Sequence, residues 1–112
     1  MMAGLLAPDL SKNRGELYGS FIHTAIPYNA AKETVILGTA GGAPLVITLP
    51  PAANQPGKIY AIKKVDAGVG PVAITPTAPD LIDGGGVFNL AAQYDAAIVV
   101  GEPAGWWVIS QI

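Results

Sequence analysis

Histidine is the side chain that most often transfers protons or binds metals near neutral pH, and this sequence has one, His23. A catalytic histidine needs a nucleophile or an orienting carboxylate beside it, and a metal site needs further ligands. His23 lies within FIHTAIP, a run of β-branched and aromatic residues that is typical of a strand. We therefore interpret it as a structural strand residue.

Most of the eight carboxylates lie in predicted turns or at strand ends, where aspartate accepts hydrogen bonds from the backbone. Asp80 and Asp83, followed by three glycines, weakly resemble a calcium loop, but their spacing does not match an EF-hand. The glycine run also lacks the Gly-Lys-Ser/Thr ending of a phosphate loop. A glycan hydrolase would need two carboxylates about 5–10 Å apart in a cleft. We predict structural turns, no catalytic residue, no metal site and no cofactor.

Aromatic side chains offer a second kind of chemistry, since sugars stack on them. Five could form such a platform, but aromatics of this kind more often belong to a core or an interface. The candidates for a subunit interface or an exposed tip are Tyr60, Tyr94, Trp106 and Trp107.

The composition favours association with other protein chains. Hydrophobic residues make up 51% of the 112 residues and charged residues only 12%, whereas soluble proteins carry roughly 25% charged residues. Burying surface against other chains would offset this shortage of charge. A net charge of -2 argues against nucleic acid and against a polybasic membrane anchor. No apolar run approaches the ~20 residues of a membrane span.

Ten prolines and fourteen glycines divide the chain into short β-branched and aromatic runs, and no helical periodicity extends far. The run spacing predicts an all-β fold, an antiparallel β-sandwich or jelly-roll-like barrel. The predicted strands are residues 20–24, 34–37, 45–49, 58–65, 72–75, 81–82, 87–90, 97–101 and 107–111.

Alternation within these runs predicts which side chains share a face. Leu45, Ile47 and Leu49 should point to one side of their strand. The strand at 58–65 is apolar on both faces near its start, which indicates a central or interface position. Because Trp106 and Trp107 point to opposite faces, at least one indole should meet another element or another subunit.

Residues 1–18 differ from the single β domain predicted for residues 19–112. They combine an apolar start with a polar run and show little strand pattern. One interpretation is a frayed terminus; the other is an arm that orders on a partner. In the second case Leu5, Leu6 and Leu10 would be the anchors of this arm on its partner.

The last two thirds of the chain carries an ordered series of short motifs. In chain order they are Leu49-Pro50, Gly57 with Tyr60-Ala61-Ile62-Lys63-Lys64, Val72-Ala73-Ile74-Thr75-Pro76, Asp80 with Ile82-Asp83-Gly84, Leu90 with Tyr94, and Trp106 or Trp107 before Val108-Ile109-Ser110. This order resembles the small β modules of tailed-bacteriophage virion proteins, namely tail-fibre and head-fibre tips and capsid decoration (cement) proteins.

The resemblance implies a homotrimer. Because the chain is short and its carboxylates lie in predicted turns, we expect no enzymatic activity. Only about thirty residues precede the module, and the sequence has neither coiled-coil heptads nor collagen-like repeats, whereas receptor-binding fibres normally have a shaft. We therefore expect a trimeric decoration protein on the outer capsid surface of the virion, bound to the major capsid protein. The alternative is a receptor- or glycan-binding tip of a head or tail fibre, with a host-surface glycan as its partner.

Overall fold

The computed structural model describes residues 20–112, and the regular secondary structure of this part of the chain is almost entirely β-strand. The predicted all-β class is therefore confirmed. One short 3-10 turn, Ala52–Asn54, interrupts the strands. The strands are β1 (Phe21–Thr24), β2 (Tyr28–Asn29), β3 (Val35–Gly38), β4 (Leu45–Leu49), β5 (Ile59–Lys64), β6 (Val72–Pro76), β7 (Phe88–Leu90), β8 (Ala96–Glu102) and β9 (Gly105–Gln111).

Eight of the predicted strands lie where strands are observed, with ends displaced by two residues at most. The ninth prediction, residues 81–82, is wrong as a strand, because Ile82 forms only isolated bridges, to Gly85 and to Trp106. The two-residue strand β2 was not predicted. It is too short to show an alternating pattern, and it is defined by its pairing with β4.

The strands form two mixed sheets, so the expectation of antiparallel pairing is wrong for much of the chain. The five-stranded sheet has the order β1-β3-β5-β8-β9, and the four-stranded sheet has the order β2-β4-β6-β7. The first six strands alternate between the sheets, and each return to a sheet adds a parallel strand. Two parallel strands need a crossover connection between them, and here a strand of the other sheet forms part of that connection. β7, β8 and β9 then pair antiparallel.

The two sheets share one hydrophobic cluster. Ile36 and Ile62 enter it from the five-stranded sheet, and Ile47 and Ile74 enter it from the four-stranded sheet. The predicted common face of Leu45, Ile47 and Leu49 is confirmed, because all three are buried while Val46 is exposed. Burial of these side chains holds the sheets together through the hydrophobic effect.

Aspartates fix the connections between strands, as their predicted turn roles require. Asp80 Oδ2 accepts a hydrogen bond from the Ala52 backbone N–H at 2.8 Å. Asp83 Oδ1 accepts one from the Val108 N–H at 2.9 Å, and Asp95 Oδ2 accepts one from the Ala92 N–H at 2.9 Å. These carboxylates satisfy backbone donors where the sheet hydrogen bonds are interrupted.

Candidate interaction surface

Two of the four candidate aromatics, Tyr60 and Trp106, belong to the core. Their side chains are fully buried, with ring centroids 5.7 Å apart. The Tyr60 hydroxyl donates to the Ala31 carbonyl at 2.7 Å, and the Trp106 indole N–H donates to the Pro50 carbonyl at 3.1 Å. Neither ring is accessible to a partner, so both are removed from the set of interface or tip residues. Alternate residues of a strand point to opposite faces, and both rings are on the inward side. The residue type alone does not reveal this.

The electrostatics of Tyr60 agree with this position. Burial disfavours the charged phenolate, and the nearby Glu33 carboxylate disfavours it further, so the pKa of Tyr60 is raised to about 12. Glu33 itself is buried and accepts hydrogen bonds from the Tyr28 hydroxyl and the Ala31 N–H, each at 2.8 Å. Polar groups beside the core are thus paired within the chain.

The other two aromatics, Tyr94 and Trp107, lie on the surface but far apart. Their exposed fractions are 60% and 47%. Trp107 pairs with Val100 in the sheet and donates its indole N–H to Glu102 at 3.1 Å. Tyr94 precedes Val100 by six residues, and the Lys63 ammonium lies 5.3 Å from its ring centroid. Tyr94 lies in the turn before β8, and Ala96 at the start of that strand is already ~13 Å along it from Val100, so the two rings do not form one platform.

A larger feature surrounds Trp107, the outer face of the five-stranded sheet. Strand register places Phe21, Val35, Ala61 and Ile98 side by side across four strands. A second row joins Ile59, Val100 and Trp107. We call this surface the apolar face; it comprises Phe21, Val35, Leu37, Ile59, Ala61, Ala96, Ile98, Val100 and Trp107.

The four-stranded sheet shows what an outer face adapted to water looks like in the same molecule. One row there contains Asn29, Thr48 and Thr75, and the next contains Val46, Ala73 and Asn89. Polar and apolar side chains are mixed, as expected where a sheet face is solvated. The apolar face is less mixed. His23 and Lys63 lie in its row with Leu37, and Ser110 pairs with Ile98, whereas the rows through Ala61 and Ile59 are otherwise apolar.

Ionisable side chains also lie on this side of the sheet, and Lys63 stands between Leu37 and Ala96 in one row of the face. His23 and Lys63 lie in the row at one end, on either side of Leu37, and Glu102 lies at the other end of β8. His23 is a strand residue, as expected, and its Nε2 atom lies 2.9 Å from the Thr39 hydroxyl. An uncharged centre with polar groups at its border is the usual arrangement of a protein–protein interface.

A buried ion pair at the end of β5 was not anticipated. Lys64 is fully buried, and its ammonium donates to Asp66 Oδ1 at 2.9 Å. Asp66 also accepts hydrogen bonds from the backbone N–H groups of Ala40, Gly41 and Gly68. The pair joins two loops and satisfies their donors. Lys64 shares the inward parity of Tyr60 and Ile62, which is the one signal in the sequence that points to its burial.

Because of this ion pair, we expect the stability of the fold to depend on pH and to fall in acid. The Lys64 ammonium, followed by the three backbone donors, holds the pKa of Asp66 well below its ordinary value of 3.8. A lowered folded pKa adds stability above the unfolded pKa, and this stability is lost as the pH falls through the folded value. We expect the urea midpoint of the wild type to fall progressively below about pH 4. Asp66→Asn should be less stable at pH 7 and should show a shallower acid dependence. Equal pH profiles for the two proteins would refute this role of Asp66.

Three predicted anchors, Leu5, Leu6 and Leu10, and the whole of the predicted arm 1–18 lie outside the described residues. Within residues 20–112, no cluster of three or more His, Asp and Glu side chains is arranged to hold a metal ion. The same part of the chain contains no helix long and apolar enough to cross a membrane. The sequence matches no protein-family model, and comparison with curated proteins found no match.

Proposed function

We propose that this chain is a structural virion protein, a homotrimeric decoration protein that binds the major capsid protein on the outer surface of a tailed-phage head. The observation that carries the proposal is the apolar face, which a solitary protein in water would leave uncovered. The low charged fraction of 12% and the ordered motifs of the sequence support it. In this proposal the two sheets form a sandwich, and no nucleic acid, membrane, cofactor or catalytic step takes part.

The mechanism is associative. Three linked subunits would present three copies of each capsid contact, so the second and third contacts would form at a high effective concentration. Weak individual contacts would then add to stable binding without chemical change. Bridging adjacent capsomers in this way would raise the resistance of the shell to the pressure of the packaged DNA.

Mixing the purified protein with expanded empty capsids that lack it tests this function. We expect it to co-sediment with the capsids, to saturate at a fixed number of trimers per shell, and to raise the temperature at which the shell disrupts. Serum albumin serves as the control for trapping in the pellet. A trimer that stays in the supernatant at every concentration would contradict the proposal.

The alternative, a glycan-binding fibre tip, has one observation in its favour, the exposed Trp107 indole. An exposed indole can stack on a sugar ring. The separation of Tyr94 from Trp107 leaves each ring without an aromatic partner from the candidate set. Binding to a glycan array that is lost in Trp107→Ala, together with no capsid binding, would favour this alternative.

A further inference from the structure

We propose that the apolar face is the surface through which copies of this chain bind one another, so that in the trimer the three apolar faces meet at the symmetry axis. This inference rests on the self-association in the proposed function and assigns it to a particular surface. The occupant of the face is a second copy of the chain. The capsid is then contacted by other parts of the protein.

The chemistry of the face selects an uncharged partner. The rows through Ala61 and Ile59 carry no ionisable side chain, and His23, Lys63 and Glu102 lie in the rows beyond them. A charged partner would lose hydration against these two rows without gaining an ion pair. The same face of another copy is an equally apolar surface. It is also present at the same concentration as the protein itself, so a partner of this kind is always available.

The area of the face is also of the order that a protein–protein interface requires. The five strands contain 4, 4, 6, 7 and 7 residues, and at ~3.3 Å per residue and ~4.8 Å between strands the sheet has a projected area of roughly 450 Å². The accessible surface is larger than this projection because it follows the side chains. A stable interface buries about 800 Å² on each partner. The outer side of this sheet is therefore of the order of size that an interface needs, and the exposed Phe21 and Trp107 at its two edges extend it.

The shape of the apolar face also supports packing against the apolar faces of other copies. The small residue Ala61 lies between Val35 and Ile98 in the register and forms a low point at the centre of the face. Ile59, Val100 and Trp107 form a higher row beside it. Around a threefold axis each copy contacts its two neighbours with different parts of the face, so the higher row of one copy can pack against the low point of the next.

Sedimentation equilibrium of two matched lysine variants tests this assignment. Ile59→Lys places a charge on the apolar face, where the side chain is 43% exposed, and Val46→Lys places one on the outer face of the other sheet, where it is 37% exposed. Both positions are β-branched strand residues, so the folding costs should be similar. We expect Ile59→Lys to weaken self-association at least ~100-fold, because each interface would bury unpaired charge. Val46→Lys should leave it within about threefold of the wild type.

A second variant tests the face in case Ile59→Lys does not fold. Trp107→Ala removes a half-exposed ring, and we expect it to weaken association about tenfold or more while circular dichroism stays unchanged. A wild type that forms trimers unaffected by either face variant would overturn this inference and leave the proposed function standing. A wild type that remains monomeric at all concentrations would overturn both. Trimers disrupted by Val46→Lys but not by Ile59→Lys would place the interface on the opposite sheet and refute the assignment.

Discussion

Trp106→Ala should lower the free energy of unfolding by about 3–5 kcal/mol, the range found when a large aromatic is removed from a core. The side chain is fully buried against Tyr60, and its indole N–H is bonded to the Pro50 carbonyl. Truncation would leave a cavity beside Gly101, where the indole ring packs closely, and would free the buried carbonyl. Urea unfolding followed by circular dichroism measures the loss, because it does not depend on tryptophan fluorescence.

The neighbouring tryptophan provides the matched control. Trp107 follows directly in β9 but is 47% exposed. For the isolated chain, at protein concentrations too low for association, Trp107→Ala should change the free energy of unfolding by less than about 1 kcal/mol. Similar losses at the two positions would contradict the assignment of one tryptophan to the core and the other to the surface.

Gly70→Ala should lower the free energy of unfolding by about 3 kcal/mol, at the upper end of the cost of overpacking. A Cβ atom at position 70 would overlap the backbone of Ala43 at its oxygen, carbon and nitrogen atoms. Backbone cannot change rotamer to relieve the overlap. The segment is also fixed by hydrogen bonds from the Gly70 N–H to the Gly41 carbonyl and from the Leu45 N–H to the Pro71 carbonyl, each at 2.9 Å. The melting temperature and the urea midpoint should both fall.

Gly42→Ala is the control for this substitution. A Cβ atom at position 42 meets nothing within 4 Å, and the backbone there is not in the left-handed region. Alanine should therefore be neutral or should stabilise the fold by about 0.4–1 kcal/mol through a less flexible unfolded chain. If Gly70→Ala proved as stable as Gly42→Ala, the backbone at Gly70 could not lie as close to Ala43 as the structure places it.

The positions of most strands could be predicted from the sequence because local chemistry determines them. Leu45–Leu49 alternates clearly and is bounded by proline at both ends, so its limits are correct. Pairing partners depend on contacts between distant residues. An alternating pattern shows which side chains share a face, but it does not show that β3 pairs with β5 or in which direction.

The apolar face was only partly predictable from the sequence. Apolar residues on both faces near the start of β5 predicted a central or interface position, and β5 is indeed the middle strand of its sheet, with Ile59 and Ala61 on the outer face. Residue type drew equal attention to Tyr60 and Trp106, which are core residues. The face becomes recognisable only when register aligns side chains from strands far apart in the chain, such as Phe21 with Val35 and Ile98 with Ala61.

The mass of the wild-type protein in solution tests the central claim most directly, because every part of the account requires copies of the chain to associate. Light scattering across a dilution series should give three times the subunit mass of 11.4 kDa at high concentration. Dissociation should set in only upon strong dilution. A mass of one subunit at every concentration would contradict the account, since the apolar face would then remain uncovered in a stable protein.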